Sequence, residues 1–173
     1  MIDIVIAEDD FRVAQIHERL IEQLDGFNII GKAANAKETM EILEVRKADL
    51  LLLDIYMPAE MGTTLIPVVR NRFPEVDIMI ITAATETCHL QESLRAGIVH
   101  YLIKPVTAEK FKQVLLQYKK KRQTLLSQPQ VSQSMIDQIF GDFSSGSRQA
   151  EDLPTGINSI TLQKIRDVLR DAA

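Results

Sequence analysis

The stretch Leu50-Leu51-Leu52-Leu53-Asp54 is an uninterrupted apolar run that ends in a carboxylate. Apolar runs without polar alternation are typical of strands that are covered on both faces of a sheet. Runs of the same kind occur at four other places: Ile2 to Ala7, Phe27 to Ala33, Ile78 to Thr82, and Val99 to Ile103. The sequence therefore predicts five buried strands.

Segments with helical spacing separate these runs, and breakers such as Gly26, Pro74 and Gly97 close them. The predicted helices are Phe11 to Leu24, Ala36 to Val45, Gly62 to Phe73, Glu86 to Arg95, and a fifth that begins near Thr107 and continues past Tyr118. Strands that alternate with helices form right-handed crossovers in a parallel sheet. This alternation predicts a doubly wound α/β fold with a five-stranded parallel sheet.

The overall composition is that of a globular protein with a substantial core. The chain has 173 residues, of which 46% are hydrophobic and 25% charged, and its net charge is -4. A negative net charge argues against strong, nonspecific binding to nucleic acid, which depends on an excess of Lys and Arg. No segment approaches the roughly 20 apolar residues of a membrane span, and the lone Cys88 has no partner for a disulfide. We expect a cytoplasmic protein with no membrane association.

Polar side chains stand where four of the predicted strands end. They are the acidic run Glu8-Asp9-Asp10, Asp54, Thr82, and the pair Lys104-Pro105. The carboxyl ends of parallel strands meet at one edge of a sheet, where doubly wound folds bind their ligands. The sequence therefore predicts a single site at this edge.

Two carboxylates at that edge, Asp9 and Asp54, favour a bound divalent cation. Carboxylates held close together repel each other unless a cation neutralises them, and oxygen ligands suit Mg²⁺. The backbone carbonyl of Tyr56 could supply another oxygen. Lys104 would offer a positive charge to a phosphoryl group and Thr82 a hydroxyl donor, which leaves Asp54 as a nucleophile that would form an acyl phosphate.

Four sequence motifs together resemble the receiver domain of bacterial two-component response regulators. They are Ile4-Val5-Ile6-Ala7-Glu8-Asp9-Asp10, Leu52-Leu53-Asp54-Ile55-Tyr56-Met57-Pro58 with Gly62, Ile81-Thr82-Ala83, and Tyr101-Leu102-Ile103-Lys104-Pro105. The resemblance covers about the first 120 residues. It implies a flavodoxin-like sheet with strand order 2-1-3-4-5.

The resemblance also implies a role for each residue of the site. Asp54 would accept a phosphoryl group from the phosphohistidine of a sensor histidine kinase, with Lys104 and Thr82 assisting. The Mg²⁺ would be held by Asp9, Asp54 and the carbonyl of Tyr56, and by Glu8 through a water. Thr82 and Tyr101 would act as the switch that changes the face formed by the fourth helix, fifth strand and fifth helix.

Three further residues are expected near the site. The resemblance places Asp10, Ala83 and Pro105 around the reacting groups, and it implies a cis peptide bond between Lys104 and Pro105. Asp10 fits the N-cap of the first helix equally well, because a short acidic side chain at that position satisfies free backbone N–H groups. Tyr56, two residues after the nucleophile, could obstruct an attacking water, which predicts a long-lived phosphorylated form.

The remainder of the chain resembles regulators of the citrate and C4-dicarboxylate sensing type. The motifs are Lys119 through Ser132-Gln133-Ser134 and Ile136-Asp137, then Leu153-Pro154-Thr155-Gly156-Ile157 with Thr161-Leu162. The Gln- and Ser-rich composition after the receiver at 1–121 predicts a helical and flexible linker at 122–152. The resemblance implies that 153–173 is the start of a helix-turn-helix output domain. It further implies promoter DNA as a partner and control of organic acid genes. Separately, the extended helix from Phe111 through Leu126 could serve in a homodimer that forms on phosphorylation.

Two alternatives to a transcriptional regulator stay open. One is a standalone receiver or phosphorelay module without DNA output. The other is an aspartyl-phosphate phosphatase, although those enzymes carry their nucleophile after the first strand. We interpret the run Lys119 to Arg122 as a solvated helix face, and His17, His89 and His100 as ordinary surface or interface groups.

Overall fold

The computed structural model describes residues 1–57 and 62–127, together with the single positions 130, 132, 133 and 136. The chain divides into two units after Ser127, and the first unit contains every element named below. The strands are β1 (Ile2–Ala7), β2 (Phe27–Ala33), β3 (Leu50–Leu53), β4 (Asp77–Thr82) and β5 (His100–Ile103). The helices are α1 (Phe11–Glu22), α2 (Ala36–Val45), α3 (Gly62–Arg72), α4 (Thr87–Arg95) and α5 (Ala108–Ser127). The predicted alternation is confirmed.

The five strands form one parallel sheet in the order β2-β1-β3-β4-β5, as predicted. Its register brings the strand ends to a common edge. Ala7 of β1 pairs with Leu53 of β3, and Thr82 of β4 pairs with Ile103 of β5. We call this the carboxyl edge of the sheet, and the opposite one the amino edge.

Apolar side chains cover both faces of the sheet at its central strands β1, β3 and β4, which are buried almost throughout. The prediction of five buried strands is wrong for the edge strands β2 and β5, each of which has one fully buried residue, because an edge strand is covered less completely. Leu51 and Leu53 pack in the layer that contains α2 and α3 residues, whereas Leu50 and Leu52 pack with residues of α1 and α5. All four leucines of β3 are at most 2% exposed. Each such buried leucine contributes roughly 1.5–3 kcal/mol through burial of apolar surface. The central strand is therefore held firmly, and with it the residue that follows, Asp54.

Helix ends differ from the predicted bounds by one or two residues. α1 ends at Glu22 because Leu24 is already in a tight turn, with its N–H donating to the carbonyl of Ile21 at 2.9 Å. α4 begins at Thr87 because Glu86 has extended backbone angles, φ -70° and ψ 129°, and serves as the N-cap. Neither shift moves a residue of the predicted site.

The fifth helix is tied to the amino edge of the sheet by a group of polar contacts. The Tyr118 hydroxyl donates to the Asp77 carboxylate at 2.8 Å. Arg122 donates to the carboxylate of Asp49 and, at 3.4 Å, to that of Asp77. We call these four residues, Asp49, Asp77, Tyr118 and Arg122, the amino-edge anchor.

Two interpretations of charged and polar residues from the sequence need correction. In the run Lys119 to Arg122, Lys120 and Lys121 are exposed as predicted. Lys119 and Arg122 are only partly exposed, since the Lys119 ammonium donates to the carbonyl of Asp25 at 2.5 Å and Arg122 belongs to the amino-edge anchor. His17 is only 8% exposed and stacks on Phe111, with ring centroids 4.9 Å apart. The spacing of residues within one helix does not reveal such contacts, because each partner belongs to a distant part of the chain that packs against the helix only in the folded structure.

Most of the predicted linker at 122–152 and all of the predicted output segment at 153–173 lie outside the described residues. The domain boundaries therefore stay predictions. Among the described helices, none combines the length and apolar character that a membrane span requires.

Candidate functional site

Three carboxylates meet at the carboxyl edge. Glu8 follows β1 and Asp54 follows β3, and the N–H of Asp54 donates to the carbonyl of Ala7 at 2.9 Å, which holds the two loops side by side. Carboxylate oxygens of Glu8, Asp9 and Asp54 lie within 4.8 Å of one another. Glu8 and Asp54 are 5% and 6% exposed, whereas Asp9 is exposed. The group is therefore half embedded and open to solvent through Asp9.

Lys104 completes this group from the end of β5. Its ammonium lies 2.7 Å from Glu8 Oε2 and 2.6 Å from Asp54 Oδ2. Its N–H donates to the carbonyl of Thr82 at 2.8 Å, and its peptide bond to Pro105 is cis, as the family resemblance implies. We call Glu8, Asp9, Asp54 and Lys104 the carboxyl-edge cluster.

Burial and charge act against each other in this cluster. Burial raises the pKa of Glu8, although the hydrogen bond from Lys104 opposes the shift. Burial alone would lower the pKa of Lys104, but hydrogen bonds to Asp54 and Glu8 outweigh it and raise that pKa. One ammonium thus faces three carboxylates, so the cluster has an excess of negative charge.

The cluster has the donor set that a hard divalent cation needs. Its three carboxylates supply oxygen ligands only, and their separation of no more than 4.8 Å is short enough for one ion to contact them or reach them through water. A cation would also relieve the repulsion that one lysine leaves uncompensated. The residues present therefore fit Mg²⁺.

The structure does not bring the hydroxyls of Thr82 and Tyr101 onto the cluster. Thr82 is fully buried at the end of β4, and its Oγ1 accepts a hydrogen bond from the N–H of Ala84 at 3.2 Å. Tyr101 is half-buried, and its hydroxyl donates to the carbonyl of the same Ala84 at 3.2 Å. Ala83, which lies between Thr82 and Ala84 along the chain, is exposed. Both predicted switch residues therefore hold one loop residue.

Asp10 caps α1 and does not contact the cluster within the described part of the chain. Its carboxylate accepts from the N–H of Arg12 at 2.9 Å and pairs with the Arg12 guanidinium at 3.0 Å. These contacts with Arg12 lower the pKa of Asp10. Of the two roles open from the sequence, capping matches the observed contacts.

Tyr56 links the cluster to a residue that the sequence did not indicate. Its N–H donates to Asp54 Oδ1 at 3.0 Å, and its hydroxyl lies 3.2 Å from both carboxylate oxygens of Glu86. Glu86 is 30 positions away along the chain and belongs to no local motif. Only the pairing of β3 with β4 brings their following loops together.

Comparison with known proteins gives a consistent family. The model of the response regulator receiver domain matches residues 4–116. The chain is 76% identical, over 173 residues, to the transcriptional regulatory protein CitT of Bacillus subtilis (strain 168), covering all of this chain and 76% of that protein. It is 33% identical to a probable C4-dicarboxylate response regulator DctR of Halalkalibacterium halodurans, covering 99% of this chain and 74% of the relative.

Solved structures show the same fold. A CheY-like receiver domain protein from Methanospirillum hungatei JF-1 has a TM-score of 0.62 at 26% identity, covering 70% of this chain and 93% of that one. The isolated receiver domain of RcsB from Salmonella enterica serovar Typhimurium has a TM-score of 0.65 at 21% identity, covering 79% and 97%. With the sheet order and the strand-end residues in place, the chain belongs to the response regulator receiver family of two-component signalling.

Proposed function

We propose that Asp54 accepts a phosphoryl group from the phosphohistidine of a sensor histidine kinase. An oxygen of the Asp54 carboxylate attacks phosphorus, an O–P bond forms, and the P–N bond to the donor imidazole breaks. The imidazole nitrogen keeps the electron pair and takes up a proton. The observation that supports this proposal is the convergence of two acidic residues and one ammonium on Asp54, with Lys104 at 2.6 Å.

The metal site in this proposal consists of Asp9, Asp54 and the backbone carbonyl of Tyr56, with Glu8 acting through a water. A Mg²⁺ ion held there supplies charge neutralisation for the phosphoryl oxygens. Asp9 suits direct ligation because it is the exposed member of the group. Glu8 is already engaged by Lys104 at 2.7 Å, which suits an indirect role.

Lys104 positions and neutralises the transferred group in this account. In the structure its ammonium pairs with Glu8 and Asp54. Phosphorylation places new oxygens beside the same carboxylate, and the ammonium then contacts one of them, because an ionised donor and acceptor form a strong hydrogen bond. The chain thereby assists its own phosphorylation and dephosphorylation, and it acts as a switch, not as an enzyme with an external product.

The switch begins at Thr82. Its hydroxyl leaves the N–H of Ala84 and donates to a phosphoryl oxygen, which removes one of the two contacts that hold Ala84. Tyr101 holds the other contact through the Ala84 carbonyl. A change at Ala84 therefore reaches the face of α4, β5 and α5, as expected of a packing element with two arrangements.

The output in this proposal is transcription. The relatives include proteins named as transcriptional regulatory protein CitT and as a probable C4-dicarboxylate response regulator. We infer that the segment from 153 onward begins a helix-turn-helix domain that binds promoter DNA of organic acid or dicarboxylate genes. The receiver at 1–121 and the linker at 122–152 would control it, with homodimerisation on phosphorylation.

The test is phosphorylation with acetyl phosphate and Mg²⁺, followed by mass spectrometry of the intact chain. The wild type should gain the mass of one phosphoryl group, and Asp54→Ala should gain none. Asp77→Asn, which alters a carboxylate at the amino edge, should be phosphorylated like the wild type. Equal incorporation into Asp54→Ala would show that another residue accepts the group.

A further inference from the structure

A hydrogen bond between Tyr56 and Glu86 joins the loop after β3 to the loop after β4. The phenolic oxygen is 3.2 Å from each carboxylate oxygen of Glu86. On the other side, the N–H of Tyr56 donates to Asp54 Oδ1 at 3.0 Å. The candidate phosphoacceptor, the tyrosine and the start of α4 are thus connected in series.

Glu86 occupies the N-cap of α4 without capping it. N-cap positions favour short side chains that accept from the first free N–H groups of the helix, and the Glu86 side chain makes no such bond. Its carboxylate instead accepts from the N–H of Thr85 at 3.0 Å and from the Tyr56 hydroxyl. The carboxylate therefore contacts the Tyr56 hydroxyl and does not cap the N–H groups of α4.

A second residue of α4 restrains the same ring. His89, one turn after Glu86, packs edge-on against Tyr56 with ring centroids 6.4 Å apart and an interplanar angle of 85°. Tyr56 is still 42% exposed, so these two contacts are important for holding it in one place. The residue is thus tied to Asp54 through its backbone and to the start of α4 through its side chain.

We propose that Glu86 is a positioning residue that holds the Tyr56 ring beside Asp54 and thereby slows hydrolysis of the phosphorylated carboxylate. The inference rests on the proposed function. In the hydrolysis, a water oxygen attacks phosphorus, the bond between phosphorus and the Asp54 oxygen breaks, and inorganic phosphate leaves with the proton passing to solvent. A fixed ring beside phosphorus obstructs that water, whereas a ring released from Glu86 does not.

The first test compares lifetimes of the phosphorylated form. Each variant is phosphorylated with acetyl phosphate, freed of donor by rapid gel filtration, and followed by intact mass at a fixed Mg²⁺ concentration. Glu86→Ala and Tyr56→Phe should each shorten the lifetime about three- to tenfold, the effect of losing one hydrogen bond that contributes about 1 kcal/mol. The double variant should be no faster than the faster single one, because both remove the same contact.

Two variants separate positioning from charge. Glu86→Gln removes the charge but keeps an oxygen that accepts from the tyrosine hydroxyl, so it should recover most of the wild-type lifetime. Glu92→Ala removes an exposed carboxylate from the same helix without touching Tyr56, and it should decay like the wild type. If Glu86→Gln decays as fast as Glu86→Ala, charge and not position is responsible, and the proposal is wrong.

The second test needs no phosphorylation. The chain contains no tryptophan and three tyrosines, so its intrinsic fluorescence reports on tyrosine alone. A carboxylate bonded to a phenol quenches its emission, so Glu86→Ala should raise the emission of the wild-type chain but not that of a Tyr56→Phe chain. The other two tyrosines, Tyr101 and Tyr118, have partners other than Glu86 and serve as a constant background.

The two tests distinguish the inference from the function on which it rests. If the wild type is phosphorylated on Asp54 and Glu86→Ala decays at the wild-type rate, the inference is overturned and the proposed function stands. If the wild type takes up no phosphoryl group, both are overturned. Unchanged emission in Glu86→Ala would contradict the Tyr56–Glu86 contact itself.

Discussion

The two edges of the sheet differ in how their carboxylates are paired with donors. At the amino edge, Asp49 and Asp77 receive donors from Arg122 and Tyr118, and Asp49 Oδ2 also accepts from the N–H of Asp3 at 2.8 Å. Each carboxylate of the anchor has a donor, and the group carries one net negative charge, from two carboxylates against one guanidinium. Such a group ties a helix to a sheet.

The carboxyl-edge cluster is unbalanced in comparison. A single ammonium faces three carboxylates, and burial raises the pKa of one of them, Glu8. A group of this kind costs folding free energy unless a cation joins it. The larger excess of negative charge, together with the exposed carboxylate of Asp9, distinguishes the carboxyl-edge cluster from the anchor as a cation site.

Of the variants that test the difference between the two edges, Lys104→Ala should have the largest effect, on the rate of phosphorylation. It removes the cluster's own cation, so the rate of phosphoryl uptake from acetyl phosphate should fall by about 100-fold or more, as when a donor to a developing charge is lost. Arg122→Ala removes the cation of the opposite edge and should leave the rate within about twofold, because distant sites act independently. Similar losses in both variants would mean that the two edges do not differ in function.

Arg122→Ala should lower the stability of the fold, although it leaves the phosphorylation rate almost unchanged. Asp49 and Asp77 would lose their charged donor, and the free energy of unfolding, measured with urea, should fall by about 2 kcal/mol. This is less than the 3–5 kcal/mol of a fully buried pair, since the Arg122 side chain is 29% exposed. Lys121→Ala, at an exposed neighbouring position, should change the value by less than about 0.5 kcal/mol. An equal change in the two variants would argue against the anchor.

Metal binding should stabilise the chain through one edge only. At a Mg²⁺ concentration ten times its dissociation constant, linkage predicts about 1.4 kcal/mol, or a rise in Tm of roughly 4 °C. Asp9→Asn should abolish the rise, whereas Asp77→Asn should keep it. A rise that survives Asp9→Asn would place the ion elsewhere.

The smallest expected effect is the pH dependence of Glu8. Burial raises the pKa of Glu8 above its ordinary 4.5, so the folded chain binds this proton more tightly than the unfolded chain. The stability that Glu8 contributes is therefore present below about pH 4.5 and is lost as pH rises through the raised pKa. Glu8→Gln, which cannot ionise, should be more stable than the wild type at pH 7, with the gain shrinking towards pH 4.5 in urea titrations.

Asp10 offers a control of opposite sign for the Glu8 experiment. Its contacts with Arg12 lower its pKa below the ordinary 3.8, so its contribution is present above that value and is lost as pH falls. Asp10→Asn keeps a capping oxygen and should therefore lose stability relative to the wild type at pH 7 but not at low pH. If both variants shift in the same direction, the assigned environments of these two carboxyl groups are wrong.

The bounds of three strands, β1, β2 and β3, were predictable to the residue. For β1 and β3 the reason is burial on both faces, which leaves a nearly continuous apolar run that ends at the first carboxylate, Glu8 or Asp54. The edge strand β2 contains Asn28 and Lys32, so its bounds follow from the apolar residues between them and from the breaker Gly26. The carboxylates that end two of them do meet at one edge, within 4.8 Å of each other, although their roles stay proposals. The contacts of Thr82 and Tyr101 with Ala84 were not predictable, because rotamers have no signature in sequence.

The alternation of strands and helices, and hence the set of residues at the carboxyl edge, can be read from the amino-acid sequence, because burial on two faces leaves a continuous apolar pattern in the central strands. The pairing of charges, in contrast, depends on tertiary contacts. Arg122 lies 73 positions from Asp49, and Tyr56 lies 30 from Glu86, so no local period connects them. Whether a polar side chain is solvated, anchors a helix or positions a ring depends on what folding brings beside it.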